Sequence, residues 1–212
     1  MKQSIKKTIK WLFRLLLLPI YLWFELLAKV FNEDSIFQTF SQYLSLIPGK
    51  LGSYCRSAFY WWACPNTSDE IVVGFLTVFS HRDTTIERGV YIGPQCNIGK
   101  CHIGENTLFG SGVHILSGNK QHHFDDVETP IQQQGGHFSK ITIGADCWLG
   151  NASLVMASVE AHCVIAGGSV VTRSIDEPYA VYGGNPAKRL KSRADNSQNI
   201  QAALNQTQKV AP

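Results

Sequence analysis

From Val73 onward the chain returns every six residues to the same kind of side chain. VGFLTV (73–78), IERGVY (86–91), IGPQCN (92–97), IGENTL (103–108) and FGSGVH (109–114) come first. IGADCW (143–148), LGNASL (149–154), VEAHCV (159–164) and IAGGSV (165–170) follow. Each unit opens on a bulky aliphatic or, once, on Phe, and Gly, Glu or Ala usually stands second. Thr, Val, Cys or Ser stands fifth. A period of six is neither the two of a half-buried strand nor the 3.6 of a helix. It suits a chain that makes short strands and turns a corner every six residues, so that three units close one triangular turn. The opening residues then stack inward from turn to turn, and the fifth residue, inward but beside a corner, has to be small. A glycine in second place tolerates the corner's backbone angles. The spacing therefore predicts a mainly β protein, a parallel β-helix of hexapeptide repeats. IGKCH (98–102) is one residue short and VMAS (155–158) two short, which marks corner adjustments.

Six cysteines are present without a CxxC pair, which excludes a zinc ribbon or a thioredoxin-like motif. Cys96, Cys147 and Cys163 fall in fifth places and read as core filler, and all six are expected to be reduced and buried. A net charge of +3 gives no argument for a nucleic-acid partner, but its distribution is uneven. Residues 1–14 carry Lys2, Lys6, Lys7, Lys10 and Arg14 and no acid, and Lys188, Arg189, Lys191 and Arg193 cluster near the other end.

WLFRLLLLPIYLWFELLAKVF (11–31) is the most apolar stretch. Its uncharged run, Leu15 to Phe24, contains Pro19 and is shorter than the ~20 residues a membrane span needs. No small-x-small cleavage site follows, as a signal peptide would require. A basic flank before Trp, Phe and Leu predicts a helix lying in a membrane interface, the alternative being a helix packed on the protein's own core or on a neighbouring subunit. Pro48, Gly49 and Gly52 then mark a break. Residues 1–48 are thus expected to form an apolar, basic, membrane-associated helical segment, 49–193 the repeat domain, and 194–212 a polar, Gln/Asn-rich tail, disordered or loosely helical.

The repeat is interrupted over residues 116–140, which begin LSGNKQHHFDD. So long a loop inside a regular solenoid is uncommon unless it has a function. Its histidines suit general-base chemistry near neutral pH, for which histidine has the right pKa. A His with a carboxylate three residues on occurs twice, as His122 with Asp125 and as His123 with Asp126, and spacing alone leaves both open. His81, His102, His114, His137 and His162 lie outside this pattern, and His102, His114 and His162 read as surface or packing residues.

The phrase AGGSVVTRSIDEPYAVYGGNPAKRLKSR (166–193), together with the repeat, resembles the hexapeptide-repeat acyltransferases, in particular sugar and polysaccharide O-acetyltransferases related to the maltose and galactoside acetyltransferases. The resemblance runs over about residues 50–193, and SLIPGKLGSYCR and HILSGNKQHHFDD are similar to its exopolysaccharide or glycan branch. It implies a left-handed coil, a homotrimer with its site between subunits, acetyl-CoA as donor and no metal. The implied acceptor is a hydroxyl of a sugar in a polysaccharide precursor or glycolipid, met at the cytoplasmic face of a bacterial inner membrane. The family phrase SG-x-x-x-H points to His122 as base, with Asp125, and His123 stays the alternative. The resemblance also implies Trp148 beside the pantetheine arm, Gly150, Gly167 and Gly168 along that arm, and Lys188 and Arg189 against the phosphates. The repeat alone would explain the glycines as corner residues. NPAK (185–188) is expected to end the solenoid and turn the chain back along it. Two other readings are a non-catalytic scaffold of a membrane-bound synthesis complex and a metal-dependent hydratase of the gamma carbonic anhydrase type. The latter needs three converging histidines, and the NPAK ending and the His–Asp loop argue against it.

Overall fold

The computed structural model describes residues 2–195, so the polar tail beyond Asp195 lies outside the described residues. Three helices come first: α1 (Lys2–Ala28), α2 (Glu33–Ser45) and α3 (Gly49–Ala63). The Asn32 side chain caps α2 by accepting from the Ser35 N–H at 2.9 Å, with Glu33 and Asp34 in the first turn where the helix dipole favours them. The Pro48–Gly49 break, expected to open the repeat domain, instead starts α3, with Pro48 at its cap. The helix runs on because Cys55, Phe59 and Ala63 recur at helical spacing and bury one face. Phe24 of α1 meets Phe59 edge-on at 5.7 Å, and Phe40 stacks on Phe59 at 5.9 Å, so the helices share a small aromatic core.

The coil begins at Val72 and is built of three parallel sheets. The first holds β1 (Val72–Val73), β4 (Tyr91–Ile92), β7 (Leu108–Phe109), β10 (Trp148–Leu149), β12 (Val164–Ile165) and β14 (Ala180–Gly183). The second holds β2 (Val78–Phe79), β5 (Asn97–Ile98), β8 (His114–Ile115), β11 (Leu154–Val155) and β13 (Val170–Val171). The third holds β3 (Thr85–Ile86), β6 (Cys101–Ile103) and β9 (Ile141–Ile143), continued by bridges at Val159 and Ile175. Each strand pairs with its counterpart one turn of the coil away, as a triangular coil requires. The unit-opening residues Val73, Ile92, Phe109, Leu149 and Ile165 stack in register and are buried. After Gly184 the chain reverses through NPAK into β15 (Lys188–Ser192), antiparallel to β14.

All nine fifth-place residues are buried, and most do more than fill space. Thr77 Oγ1 donates to the Gly93 carbonyl and Thr107 Oγ1 to the Gly144 carbonyl, each at 2.7 Å. The thiols of Cys96, Cys147 and Cys163 reach the carbonyls of Gly110, Glu160 and Glu177 at 3.2 Å. Each bond ties one turn of the coil to the next, which explains why Thr and Cys outnumber Ala at this place. All six cysteines are free and buried, and burial pushes the Cys147 thiol up to about 12, so it stays protonated.

The corners are unequal. From first sheet to second the inward residues step by six every time, Val73 to Phe79, Ile92 to Ile98, Phe109 to Ile115, Leu149 to Val155 and Ile165 to Val171. From third to first they do so again, Ile86 to Ile92, Ile103 to Phe109, Ile143 to Leu149 and Val159 to Ile165. Apart from a step of seven from Ile175 to Tyr182 in the last turn, the irregularities fall at the remaining corner: Ile98 to Ile103, Val155 to Val159, Val171 to Ile175 and the long excursion from Ile115 to Ile141.

At the first turn the open edge of the coil meets α2 and α3. Arg56, only 1% exposed, donates from Nε to the Val73 carbonyl at 3.0 Å and from Nη1 to the Leu44 and Ile47 carbonyls at 2.9 Å. Ser57 Oγ donates to the Ile71 carbonyl at 2.8 Å, and Ser41 Oγ accepts from the Phe79 N–H at 2.8 Å. Arg56→Met keeps the volume but strands these carbonyls, and it is expected to cost ~3 kcal/mol or more in urea unfolding. Thr107→Val, which removes a single tie, is expected to cost ~1 kcal/mol in the same measurement.

Candidate active site

The excursion leaves the coil after β8 and returns to β9 as a braced ribbon. Its two arms are joined by Ser139 N to the Ser117 carbonyl at 2.9 Å, His137 N to the Lys120 carbonyl at 2.8 Å and His123 N to the Gly135 carbonyl at 3.0 Å. The arms run so close that a Cβ on Gly136 would stand 1.8 Å from the Gln121 carbonyl oxygen. Beyond the brace, Asp126 organises the tip. Its carboxylate accepts from the Glu128 N–H at 2.9 Å and from the Thr129 hydroxyl at 2.6 Å, and Gln134 Nε2 donates to the Asp126 and Thr129 carbonyls at 2.7 Å. The Thr129 hydroxyl, then the Glu128 N–H, hold the Asp126 carboxyl below its usual range.

This turn separates the two His–carboxylate pairs that spacing left equal. Asp126 is occupied as a turn cap, whereas Asp125 is exposed and lines a shallow cavity of about 450 Å³ with Asn119, Lys120, His122, His123 and Phe124. His122 and Asp125 share this cavity, but their side chains do not hydrogen-bond to each other within one chain.

His81, given no role by the sequence, sits at the root of the excursion. Its Nδ1 is 2.8 Å from Ser80 Oγ and 3.4 Å from Ser117 Oγ, and its ring lies 5.2 Å from that of Phe138. Burial pushes its pKa below the ordinary 6.5, so the neutral ring holds the root. No motif could have found it, because it meets Ser117 only when two turns of the coil stack. His102 pairs with Glu87 at 2.9 Å, and His162 pairs with Asp146 at 3.0 Å while stacking on Tyr179, so both are packing residues of the corners.

The remaining sequence-selected residues stand on other sides of the coil. Trp148 is exposed on the outer face of the first sheet, in an apolar row with Val72, Tyr91 and Leu108 that runs along the coil in register. Gly150 is buried where two turns touch: a Cβ there would stand 2.4 Å from Gly167 N, so its bareness is a packing requirement. Gly167 and Gly168 are exposed at the corner between first and second sheets. A single chain therefore does not gather His122, Trp148 and these glycines around one point. Arg189 is engaged by Glu177 through two bonds, at 2.8 and 2.9 Å, which neutralise it. Lys188 lines a second cavity of about 450 Å³ with Arg173, Thr172, Ser174 and Tyr182. That cavity lies at the irregular corner, where Asn119 of the excursion donates to the Thr172 carbonyl at 3.4 Å. Arg173 is thus a cation that sequence reading passed over, hidden inside a repeat phrase. Among the described residues no three His, Cys, Asp or Glu side chains stand together as a metal site.

Asp126→Ala is expected to release the tip, raising amide exchange at Glu128 and Thr129, while Asp125→Ala leaves exchange there unchanged. His81 is expected to titrate below 6.5 by NMR. Because the unfolded chain then binds a proton that the folded one refuses, the stability from His81 is present above 6.5 and is lost as pH falls through the folded value.

Several known proteins are similar to this chain in repeat, sequence or fold. The bacterial transferase hexapeptide (six repeats) family matches residues 83–117. A chloramphenicol acetyltransferase of Klebsiella aerogenes is 34% identical over 46% of this chain and 53% of its own length, and the chain spans about half the length of the first curated relatives it matches. Among solved structures, a maltose O-acetyltransferase from Clostridium difficile 630 superposes with a TM-score of 0.64 at 19% identity, covering 76% of this chain and 89% of its own. A hexapeptide-repeat acetyltransferase from Vibrio cholerae gives 0.58 at 19% identity, covering 76% and 93%. In its six-residue period and in the three-sheet coil that the period produces, the chain is similar to these hexapeptide-repeat transferases.

Proposed function

We propose that the protein is an acyl-CoA-dependent O-acetyltransferase that moves an acetyl group from acetyl-CoA to a hydroxyl of a sugar, in a polysaccharide precursor or glycolipid. The observation that carries this reading is the braced excursion at the irregular corner, with His122 and Asp125 in its cavity and Asp126 withdrawn into the turn. The relatives named as acetyltransferases support the transfer, and the maltose O-acetyltransferase fold supports a sugar acceptor. In this reading the coil is left-handed and three copies associate through the apolar row of the first sheet. A neighbouring copy then brings its Trp148 and its Gly167–Gly168 corner against the excursion that a single chain leaves apart from them.

The chemistry assigned to these residues is direct transfer. His122 takes the proton from the acceptor hydroxyl as the oxygen attacks the thioester carbonyl. The C–O bond forms, the C–S bond breaks, and the imidazolium returns its proton to the departing thiolate. Asp125 stabilises the imidazolium in between. Lys188 and Arg173, with the hydroxyls of Thr172, Ser174 and Tyr182, suit the phosphates of the donor, since two cations and three donors line one cavity. Arg189, already neutralised by Glu177, is the weaker candidate for that role.

Calorimetric titration with acetyl-CoA, followed by a screen of sugar acceptors and chloramphenicol, tests the reading. Saturable binding near one site per chain is expected, weakened in Arg173→Ala and Lys188→Ala. His122→Ala is expected to lower turnover by ~10²–10⁴ without changing donor affinity, and His123→Ala by far less. An absence of donor binding by folded protein would overturn the assignment, and equal losses in both histidine variants would overturn the choice of base. Light scattering is expected to give a trimer that Tyr91→Glu dissociates.

A further inference from the structure

The packed and exposed faces of α1 have opposite chemistry. On the packed side Lys10 approaches Asp69 and Glu70 at 3.7 and 3.6 Å, and Arg14 reaches Asp69 at 3.3 Å. Further along the helix Glu25 pairs with Arg82, whose backbone N–H and Nε are held by Asp34 and by the Ala63 carbonyl. Trp62 Nε1 donates to the Arg14 carbonyl at 3.1 Å between these ends. All the charges in the middle of the helix are thus turned toward the protein.

The outward side carries no charge along its middle. Trp11, Leu15, Leu22 and Leu26 form one exposed row, and Leu12, Leu16, Pro19, Trp23 and Val30 form the next. Lys7, one turn before Trp11, and Lys29, one turn after Leu26, extend the same face and are exposed, and among the described residues of the helix no carboxylate lies on it. Long cations at both ends of an apolar strip, with a tryptophan near each end, match a lipid surface whose headgroups are anionic. A second copy fits poorly, because pairing this face with itself in either direction sets lysine against lysine. Spanning fits poorly as well. By length and composition α1 could cross a membrane, yet it is fastened at both ends to the coil and its loops, and crossing would carry Lys10, Arg14 and Glu25 into hydrocarbon.

We propose that α1 is an in-plane membrane anchor, lying along an anionic bilayer surface with Trp11, Leu15, Leu22 and Trp23 in the acyl boundary and Lys7 and Lys29 at the headgroups. α2 carries the orientation onward. Its Phe40 packs against Trp23, and its Gln38 lines a groove with His81, Gln121 and Phe138 at the root of the excursion. The candidate active site is therefore held to the helices that meet the lipid, at the cytoplasmic face where acetyl-CoA is available.

Flotation of the full chain with phosphatidylcholine vesicles, with and without phosphatidylglycerol, tests the anchor. Binding is expected with the mixed vesicles and little with the neutral ones. Leu15→Glu with Leu22→Glu is expected to abolish it, and Lys7→Gln with Lys29→Gln to weaken it ~30-fold. Both pairs point outward, so circular dichroism and light scattering are expected to be unchanged. Flotation with neither vesicle would overturn the proposal. So would a glutamate variant that loses self-association instead of lipid binding, which would mean a second copy covers the face. Release from cell membranes by alkaline carbonate is expected, and retention through it would mean a spanning helix and sink the in-plane claim. Acetyl-CoA titration of the same vesicle-free samples is read separately, so loss of the anchor and loss of the transferase reading give different results.

Discussion

A β-coil has two open ends, and each is an edge of unpaired backbone groups that invites aggregation unless it is covered. Here Arg56 closes the leading end. Among the described residues this buried cation has no carboxylate partner, and its charge is met instead by carbonyls: those of Leu44 and Ile47 at the end of α2, and that of Val73 in β1. Carbonyls at a helix C-terminus carry partial negative charge and stand outside the regular helix bonding, so one guanidinium serves both elements at once. Ser57, Ser41 and the Ser45 carbonyl pair with further groups of the first turn. The helices, the coil and the angle between them depend on this joint. At the far end, antiparallel β15 covers β14.

The coil behind that joint behaves as a ruled scaffold with one free edge. Two corners keep a step of six up to the last turn, where Ile175 to Tyr182 takes seven, because inward aliphatics and fifth-place Thr and Cys bonds lock each turn to the next. Changing the step there would misplace every residue in the stack. The third corner tolerates a shorter step in some turns and a whole excursion in another. A rigid frame that concentrates its irregularity at one edge is suited to presenting a reactive side chain, since its position is set by packing while its loop varies. Both clefts assigned to substrates open at that edge.

Much of this was legible in the residues. The nine repeat units and the short units at 98–102 and 155–158 stand where the spacing puts them, and the chain reverses at NPAK as the resemblance implies. Cys96, Cys147 and Cys163 are core residues, as fifth places require. Other features were not legible. The Pro48–Gly49 pair reads as the end of a helical segment but acts as the start of α3, since a Pro–Gly pair marks a boundary without fixing the type of the next element. His122–Asp125 and His123–Asp126 are identical in spacing. They differ only because Thr129 and Gln134, several residues on, fold back onto Asp126. Arg189 reads as a free cation until Glu177 is found beside it.

The sequence by itself determined the coil, because a six-residue period with a small fifth residue is satisfied by one repeating backbone path and leaves helix and ordinary sheet unsatisfied. It also determined where that path is broken and which residue types the break contains. Tertiary structure decided what those residues face. It set Asp126 into a turn, placed His81 under the excursion, gathered most of the irregularities at one corner and turned the charges of α1 inward so that its outer face is bare. Each of these depends on groups distant in the chain meeting in space, and local spacing carries no record of that.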